Sequence, residues 1–325
     1  MKKIKMYKLN IIFILIAGFI FSACEKDSEQ ALRVGISTWP GYEPLALAAE
    51  KGFYGDSYIR VVRFATPTES YRALRDGVID VAAFTADEVF HYAEVRNQPK
   101  IFLILDISNG ADAIVAKKEI KTIDDLKGKR LGVEGSTLGN YIISRGLDFA
   151  KSDIKMRDIT FVSVKTDEQE KIFLADGIDA AVTYEPSKSL LLKAGAHVIF
   201  DSSMIPNEII DVLVTNESTI QTRLADLNSL VKGWFKSLDY IKENYKLSLD
   251  LMAHQESITF PAFKKAYEDL IIPSREVNKK MLGKDTLILK PMQRLSRLMY
   301  ANEILEKEIE IKHLLDDRVI NSLEE

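Results

Sequence analysis

The feature that most constrains this chain is an internal echo at an offset of about 100 residues. In the first copy, residues 57–64 alternate around Ile59, Val61, Val62 and Phe64, which predicts a strand. Thr66-Pro67-Thr68-Glu69 then reads as a helix start, with Thr66 as N-cap, Pro67 in the first helical position and Glu69 closing a capping box. Leu74, Asp76 and Gly77 end that helix, and Asp80-Val81-Ala82-Ala83-Phe84 is the next strand. The second copy repeats the order. Ile159, Phe161, Val162 and Val164 fill a strand, Thr166 and Gln169 form the capping box, and Leu174, Asp176 and Gly177 end the helix before Asp179-Ala180-Ala181-Val182. Upstream, Arg33-Val34-Gly35-Ile36 is echoed by Arg130-Leu131-Gly132-Val133.

Each copy is therefore β-α-β-α-β. Short apolar strands joined by helices predict an α/β fold of two lobes, each a mostly parallel sheet with helices on both faces. Two further segments look like strands that leave one lobe and enter the other. Ile101 to Leu105 runs through Asp106-Ile107-Ser108 to Asp112-Ala113-Ile114-Val115, and Val198-Ile199-Phe200 runs through Asp201-Ser202-Ser203 to Asp211-Val212-Leu213-Val214. The hinge then has two strands, with residues 31–110 and 212–325 in lobe 1 and 111–211 in lobe 2. Residues 217–245, 262–270 and 291–309 carry apolar residues three and four apart, which predicts helices packed on the first lobe.

Residues 1–23 stand apart from the fold. Lys2, Lys3, Lys5 and Lys8 form a basic stretch, and residues 11–21 an apolar one. Eleven apolar residues rise only about 16 Å as a helix, too short for a ~30 Å hydrocarbon core, so the segment reads as a signal peptide. Phe21-Ser22-Ala23-Cys24 closes it and resembles the bacterial lipoprotein cleavage motif, with Phe21 where Leu is usual. That resemblance implies lipidation of Cys24, with residues 24–30 as a tether and the body held at the cell membrane on its extracytoplasmic side.

Charge excludes other classes. The chain carries a net charge of −4 although its first 23 residues hold four lysines and no acid, so the remainder carries about −8. An acidic body lacks the basic footprint of a nucleic-acid binder. The single Cys excludes an intramolecular disulfide and any multi-Cys zinc site. His91, His197, His254 and His313 lack metal-ligand spacing, and no G-x-S-x-G, H-E-x-x-H or G-x-x-x-x-G-K-[ST] motif is present. No catalytic residue, metal or cofactor is expected, and a monomer is expected.

Val34-Gly35-Ile36-Ser37-Thr38-Trp39-Pro40-Gly41-Tyr42-Glu43-Pro44, followed by Ala48-Ala49-Glu50-Lys51-Gly52-Phe53-Tyr54, resembles the opening of substrate-binding proteins of ABC importers, in the nitrate, taurine, aliphatic sulfonate and thiamine-precursor binding family. Asp125-Leu126-Lys127-Gly128-Lys129-Arg130 resembles that family's start of the second lobe, and Ala180-Ala181-Val182-Thr183-Tyr184-Glu185-Pro186 its strand-to-helix turn. The resemblance implies the periplasmic-binding-protein type II fold, two lobes closing on a small solute, and delivery of that solute to permease subunits. Two alternatives share the cleft: a sensory module feeding a membrane receptor, and an enzyme of the kind that makes the thiamine pyrimidine, whose cytoplasmic chemistry an export signal opposes.

In open α/β sheets ligands bind beyond the carboxyl ends of the strands. Four turns fall there: 37–42, 85–88, 134–139 and 183–185. Trp39, Tyr42 and Tyr184 could stack on a planar solute or cover an amine, or pack beneath their own helices. Ser136 and Thr137, beside Gly135 and Gly139, could offer hydroxyls and helix N–H groups to an anion, or only cap their own helix. Thr85 lies in the second turn. Asp87, Glu88, Glu134 and Glu185 are the sharper clue, because no Lys, Arg or His shares these turns. Acids also favour any first helical turn, yet the balance points to a solute bearing an amine or a heterocycle with N–H donors. Asp112 and Asp211 could instead fix hinge geometry.

Overall fold

The computed structural model describes residues 31–95, 99–135, 137–283 and 286–323. The expected signal segment, Cys24, the tether and Ser136 lie outside the described residues.

The first copy of the repeat folds as β1 (Leu32–Ser37), α1 (Glu43–Glu50), β2 (Ile59–Phe64), α2 (Pro67–Arg75), β3 (Val81–Thr85), α3 (Ala86–Val95) and β4 (Lys100–Ser108). The chain then crosses into a second sheet: β5 (Ala113–Ala116), β6 (Arg130–Val133), α4 (Thr137–Ala150), β7 (Thr160–Ser163), α5 (Gln169–Leu174), β8 (Ala180–Thr183), α6 (Ser187–Lys193) and β9 (His197–Asp201). It returns through β10 (Ile210–Thr215) and continues as α7 (Glu217–Thr222), α8 (Leu224–Glu243), α9 (Tyr245–Gln255), α10 (Phe260–Glu268), β11 (Leu270–Ile271), α11 (Arg275–Leu282) and α12 (Leu289–Ala301).

The two sheets have the same plan. The first is ordered β11-β4-β10-β3-β1-β2 and the second β9-β5-β8-β6-β7 when read from the corresponding edge. In each, two parallel neighbours flank the strand that opens the repeat, and one reversed strand enters from the other lobe: β10 in the first, β5 in the second. The sheets are thus mixed, mostly parallel in strand direction, with one reversed strand in each supplied by the crossing chain and a second, the short β11, at the edge of the first. On β5, Ile114 and Ala116 belong to one apolar cluster and Ala113 and Val115 to another. Side chains of a strand alternate between faces, so both faces of this short apolar run are covered by helices.

An identical ion pair marks the repeat. Arg33 N and Nε donate to Asp80 Oδ2, and its NH2 nitrogen donates to Oδ1 at 2.7 Å. Arg130 does the same to Asp179, again at 2.7 Å. Two residues further on, a Cβ at Gly35 would strike Ile79 and one at Gly132 would strike Ile178, so both strands need glycine where the neighbouring loop side chain passes. The echo in sequence is thus an echo in packing.

Local expectations fared unevenly. Thr66 caps α2 by accepting from Glu69 N, and Glu69 reaches back to Ala65 N rather than to Thr66 N. The Thr166/Gln169 capping box does not form: Gln169 is buried and donates to Val182 O, and the Thr166 hydroxyl donates to Glu134. Tertiary partners win over the local cap. The expected helix over 291–309 ends at Ala301, where Glu303 takes a positive φ of 59°. The helix over Arg275–Leu282 and the short strand β11 were not anticipated.

Candidate functional site

The carboxyl ends of the parallel strands face a cleft between the sheets. Ser37, Thr38, Trp39 and Tyr42 follow β1, Thr85 ends β3, and Glu88 lies in the first turn of α3. The second lobe contributes Glu134 after β6, Leu138 at the start of α4 and Tyr184 after β8. Asp112 and Asp211 come from the two crossings, and Pro67 opens α2. The enclosed room is about 30 Å³, on a scale where one water needs about 10–15 Å³. The lobes therefore stand close.

Contacts between the lobes account for that. Trp39 and Tyr184 meet edge to face, centroids 6.0 Å apart and planes at 73°. The Thr137 hydroxyl, at the start of α4, donates to Asp87 Oδ2 of α3 at 2.7 Å. Tyr184 OH donates to Glu134 Oε2 at 3.1 Å, which also accepts from the Thr166 hydroxyl at 2.6 Å, so one carboxylate orients the second-lobe wall.

The floor is built from β4 and β10. Trp39 Nε1 donates to Asp106 Oδ2 at 3.2 Å, and Tyr42 OH donates to Asp211 Oδ1 at 2.5 Å. Asp106 and Asp211 are register partners across the two strands. Gly41 makes this possible, because a Cβ there would fall on the Asp106 carboxylate and beside the Trp39 indole nitrogen. The Pro-Gly turn after β1 thereby presses both aromatic donors onto the acidic floor.

The electrostatics are one-sided. Glu88, Asp112, Glu134 and Asp211 line the cleft, and no Lys, Arg or His does so among the described residues. Burial pushes the Glu88 carboxyl up to about 8, aided by the neighbouring Asp87 charge. Burial likewise raises Asp112 to about 7, against the Ser108 hydroxyl and the Lys188 charge. Asp106 and Asp211 both titrate above the usual carboxylate range, burial being the main cause for each. Lys188 acts on the cleft only from behind: its ammonium donates to Gly110 O at 2.5 Å and stands 3.6 Å from Asp269 Oδ2.

Of the residues expected at the site, Trp39, Tyr42, Thr85, Glu88, Glu134 and Tyr184 line the cleft together. Thr137 and Asp87 are spent on each other, as the bond between lobes. Glu88 also accepts from Thr85 N at 3.1 Å, so it caps α3 as well as facing the cleft. Glu185 does not line it. Its Oε2 accepts from Ser189 N at 3.1 Å, capping α6, and the residue is 1% exposed. The helix-capping alternative is the one that describes its position. Asp112 and Asp211, expected to shape the hinge, line the cleft, and Asp106 was not anticipated. The available signal was an Asp on each apolar crossing strand, since an acid within such a run needs a partner or a ligand.

Comparison with known proteins fits this geometry. The profile of the family described as NMT1/THI5 like matches residues 39–246. A Bacillus subtilis (strain 168) protein named for aliphatic sulfonate binding is 22% identical over 352 aligned positions, which span 100% of this chain and 98% of the relative. The alkanesulfonate-binding protein SsuA from Xanthomonas axonopodis pv. citri, solved bound to MOPS, superimposes with a TM-score of 0.72 at 18% identity, covering 86% of this chain and 96% of that one. The periplasmic aliphatic sulphonate binding protein SsuA from Escherichia coli gives 0.73 at 18% identity, covering 89% and 93%. At these identities the superpositions establish the two-lobed fold of periplasmic binding proteins.

Proposed function

The chain belongs to the NMT1/THI5-like family, and from that premise we propose that it is the extracytoplasmic solute-binding lipoprotein of an ABC importer, capturing a small amine-bearing or heteroaromatic solute. Binding-protein relatives of full length support the role in solute capture. The observation that carries the solute class is the lining itself: four carboxyls, three aromatic rings and no cation among the described residues. A sulfonate or nitrate site gains from a charge-assisted donor, and this cleft has none to offer. An ammonium or ring N–H would meet acceptors on both lobes, with Trp39, Tyr42 and Tyr184 around it.

Closure follows from differential affinity. A solute touching Asp211 and Tyr42 on one side and Glu134 and Tyr184 on the other favours the form in which both sets are near. The permease subunits then receive the closed shape from a monomer tethered through lipidated Cys24. No helix among the described residues is long and apolar enough to cross a membrane. With Cys24 as the anchor, Cys24→Ser is expected to release the protein from the membrane fraction.

A thermal-shift panel tests the solute class. Primary amines and aminopyrimidines are expected to raise the melting temperature of the protein, and nitrate and simple alkanesulfonates to leave it unchanged. Stabilisation by sulfonates alone refutes the amine reading.

A further inference from the structure

The cleft floor contains a pair of acids with a specific deficit. Asp106 Oδ2 and Asp211 Oδ1 accept from Trp39 and Tyr42. The other two oxygens, Asp106 Oδ1 and Asp211 Oδ2, find no donor among the described residues, and the two aspartates stand opposite each other as register partners on β4 and β10. Both residues are at most 1% exposed. Adjoining carboxylates at that depth cannot both ionise without a counterion, whereas one proton between them satisfies both oxygens. A third oxygen, Asp112 Oδ2, is also unpartnered on a residue 2% exposed, and Asp112 lines the cleft beside Asp211.

We propose that the Asp106–Asp211 pair holds one proton in the solute-free cleft and releases it to solvent when a cationic N–H group of the solute settles against Asp211 and Asp112. The exchange rests on the amine reading above and adds a stoichiometry to it. One O–H bond of the carboxyl pair breaks and its proton passes to buffer. The cation's N–H groups then take over the hydrogen bonding to Asp211, and no electrons are transferred. One positive charge enters as one leaves, so the buried site stays at constant charge. A neutral heterocycle in the same place would release nothing.

Among the described residues the surroundings contain nothing else to balance a second negative charge. Tyr42 faces the pair from the turn before α1 and feels Glu88 of α3, Asp112 acts from the first crossing and Tyr267 from α10. All are acids or phenols. The one nearby ammonium, Lys188 on α6, acts on Asp112 and is itself held by Gly110 O beside Asp269. Proton and cation therefore compete for one place. Affinity for a monocation rises about tenfold per pH unit while the exchange is one for one.

The test uses full-length protein with benzylammonium and methylammonium as probes. Calorimetric titration near pH 7, in buffers of small and large ionisation enthalpy, counts protons. The wild type is expected to release about one proton per cation bound. The double variant Asp106→Asn/Asp211→Asn, which has no carboxyl left in the pair, is expected to bind the cations more weakly and to release clearly less than the wild type, the remainder coming from Asp112. Infrared difference spectra of solute-free wild type against the double variant are expected to show the carbonyl band of a buried protonated carboxyl, lost from the wild type on adding the cation. Cation binding without proton release, or a missing carbonyl band, overturns the exchange and leaves the amine reading standing. No binding of either cation overturns both.

Discussion

Trp39 of the first lobe and Tyr184 of the second meet edge to face with ring centroids 6.0 Å apart. They come from different places in the two copies of the repeat, Trp39 after β1 and Tyr184 after β8, the counterpart of β3, and both line the cleft above the acidic floor. An edge-to-face pair contributes about 0.5–1.5 kcal/mol beyond its buried area.

Tyr184→Ala is therefore expected to weaken solute binding at least tenfold in calorimetry. Tyr184→Phe keeps the ring, loses only the bond to Glu134, and is expected to cost about 1 kcal/mol or less. Trp39→Phe separates the two roles of the indole. It retains an aromatic edge but leaves Asp106 without its donor, so it should alter the pH dependence of binding more than its affinity at the optimum.

Thr137→Val removes the one hydroxyl that joins Asp87 to the second lobe. The side chain keeps its shape while a buried carboxylate loses a donor, a change of about 1–3 kcal/mol against the closed form. Small-angle scattering of solute-free protein is expected to show a larger radius of gyration for the variant, and the solute is expected to restore the wild-type value. An unchanged radius would mean that the remaining contacts, Trp39 with Tyr184 and Lys188 beside Asp269, hold the lobes together without this bond.

The acidic floor makes solute-free stability fall as pH rises. Glu88 at about 8 and Asp112 at about 7 have folded values above those of free carboxyls near 4. The folded protein then holds more protons than the unfolded chain between about pH 4 and 8, so stability is greatest at the acid end of that window and declines through it. Each group contributes about 1.4 kcal/mol per pH unit while the difference is one proton. Asp112→Asn should flatten the decline below about pH 7, as measured by urea denaturation at a series of pH values.

The ion pair of the second copy acts in the opposite sense. Arg130 holds the Asp179 carboxyl below the usual carboxylate range, chiefly by side-chain hydrogen bonding, so this contribution is present at neutral pH and is lost as pH falls through the acid range. Both arginine side chains are partly exposed, 37% for Arg33 and 42% for Arg130. Arg33→Gln and Arg130→Gln are each expected to lower stability only slightly, because solvent screens partly exposed pairs. They sit in separate sheets, so the double variant should be additive.

The repeat was legible because it is written in residues whose packing is local: Arg33 with Asp80, Gly35 beneath Ile79, and their counterparts in the second copy. The aromatic and acidic turns were legible because strand ends in α/β sheets face the cleft. What escaped was set by distant partners. Gln169 abandoned its cap for the carbonyl of Val182, and Glu185 turned inward to cap α6. Asp106 joined the floor because β10 places Asp211 opposite it, a pairing between residues far apart in the chain that no local pattern carries.

The reversed strand β10 separates β3 from β4, so the first sheet is two fragments until the chain has returned from the second. The inserted portion, by contrast, holds all five of its strands in one uninterrupted stretch. The acidic floor needs β10 beside β4 and so exists only once the chain has come back from the second sheet, whereas the inserted jaw carries every strand it needs within itself.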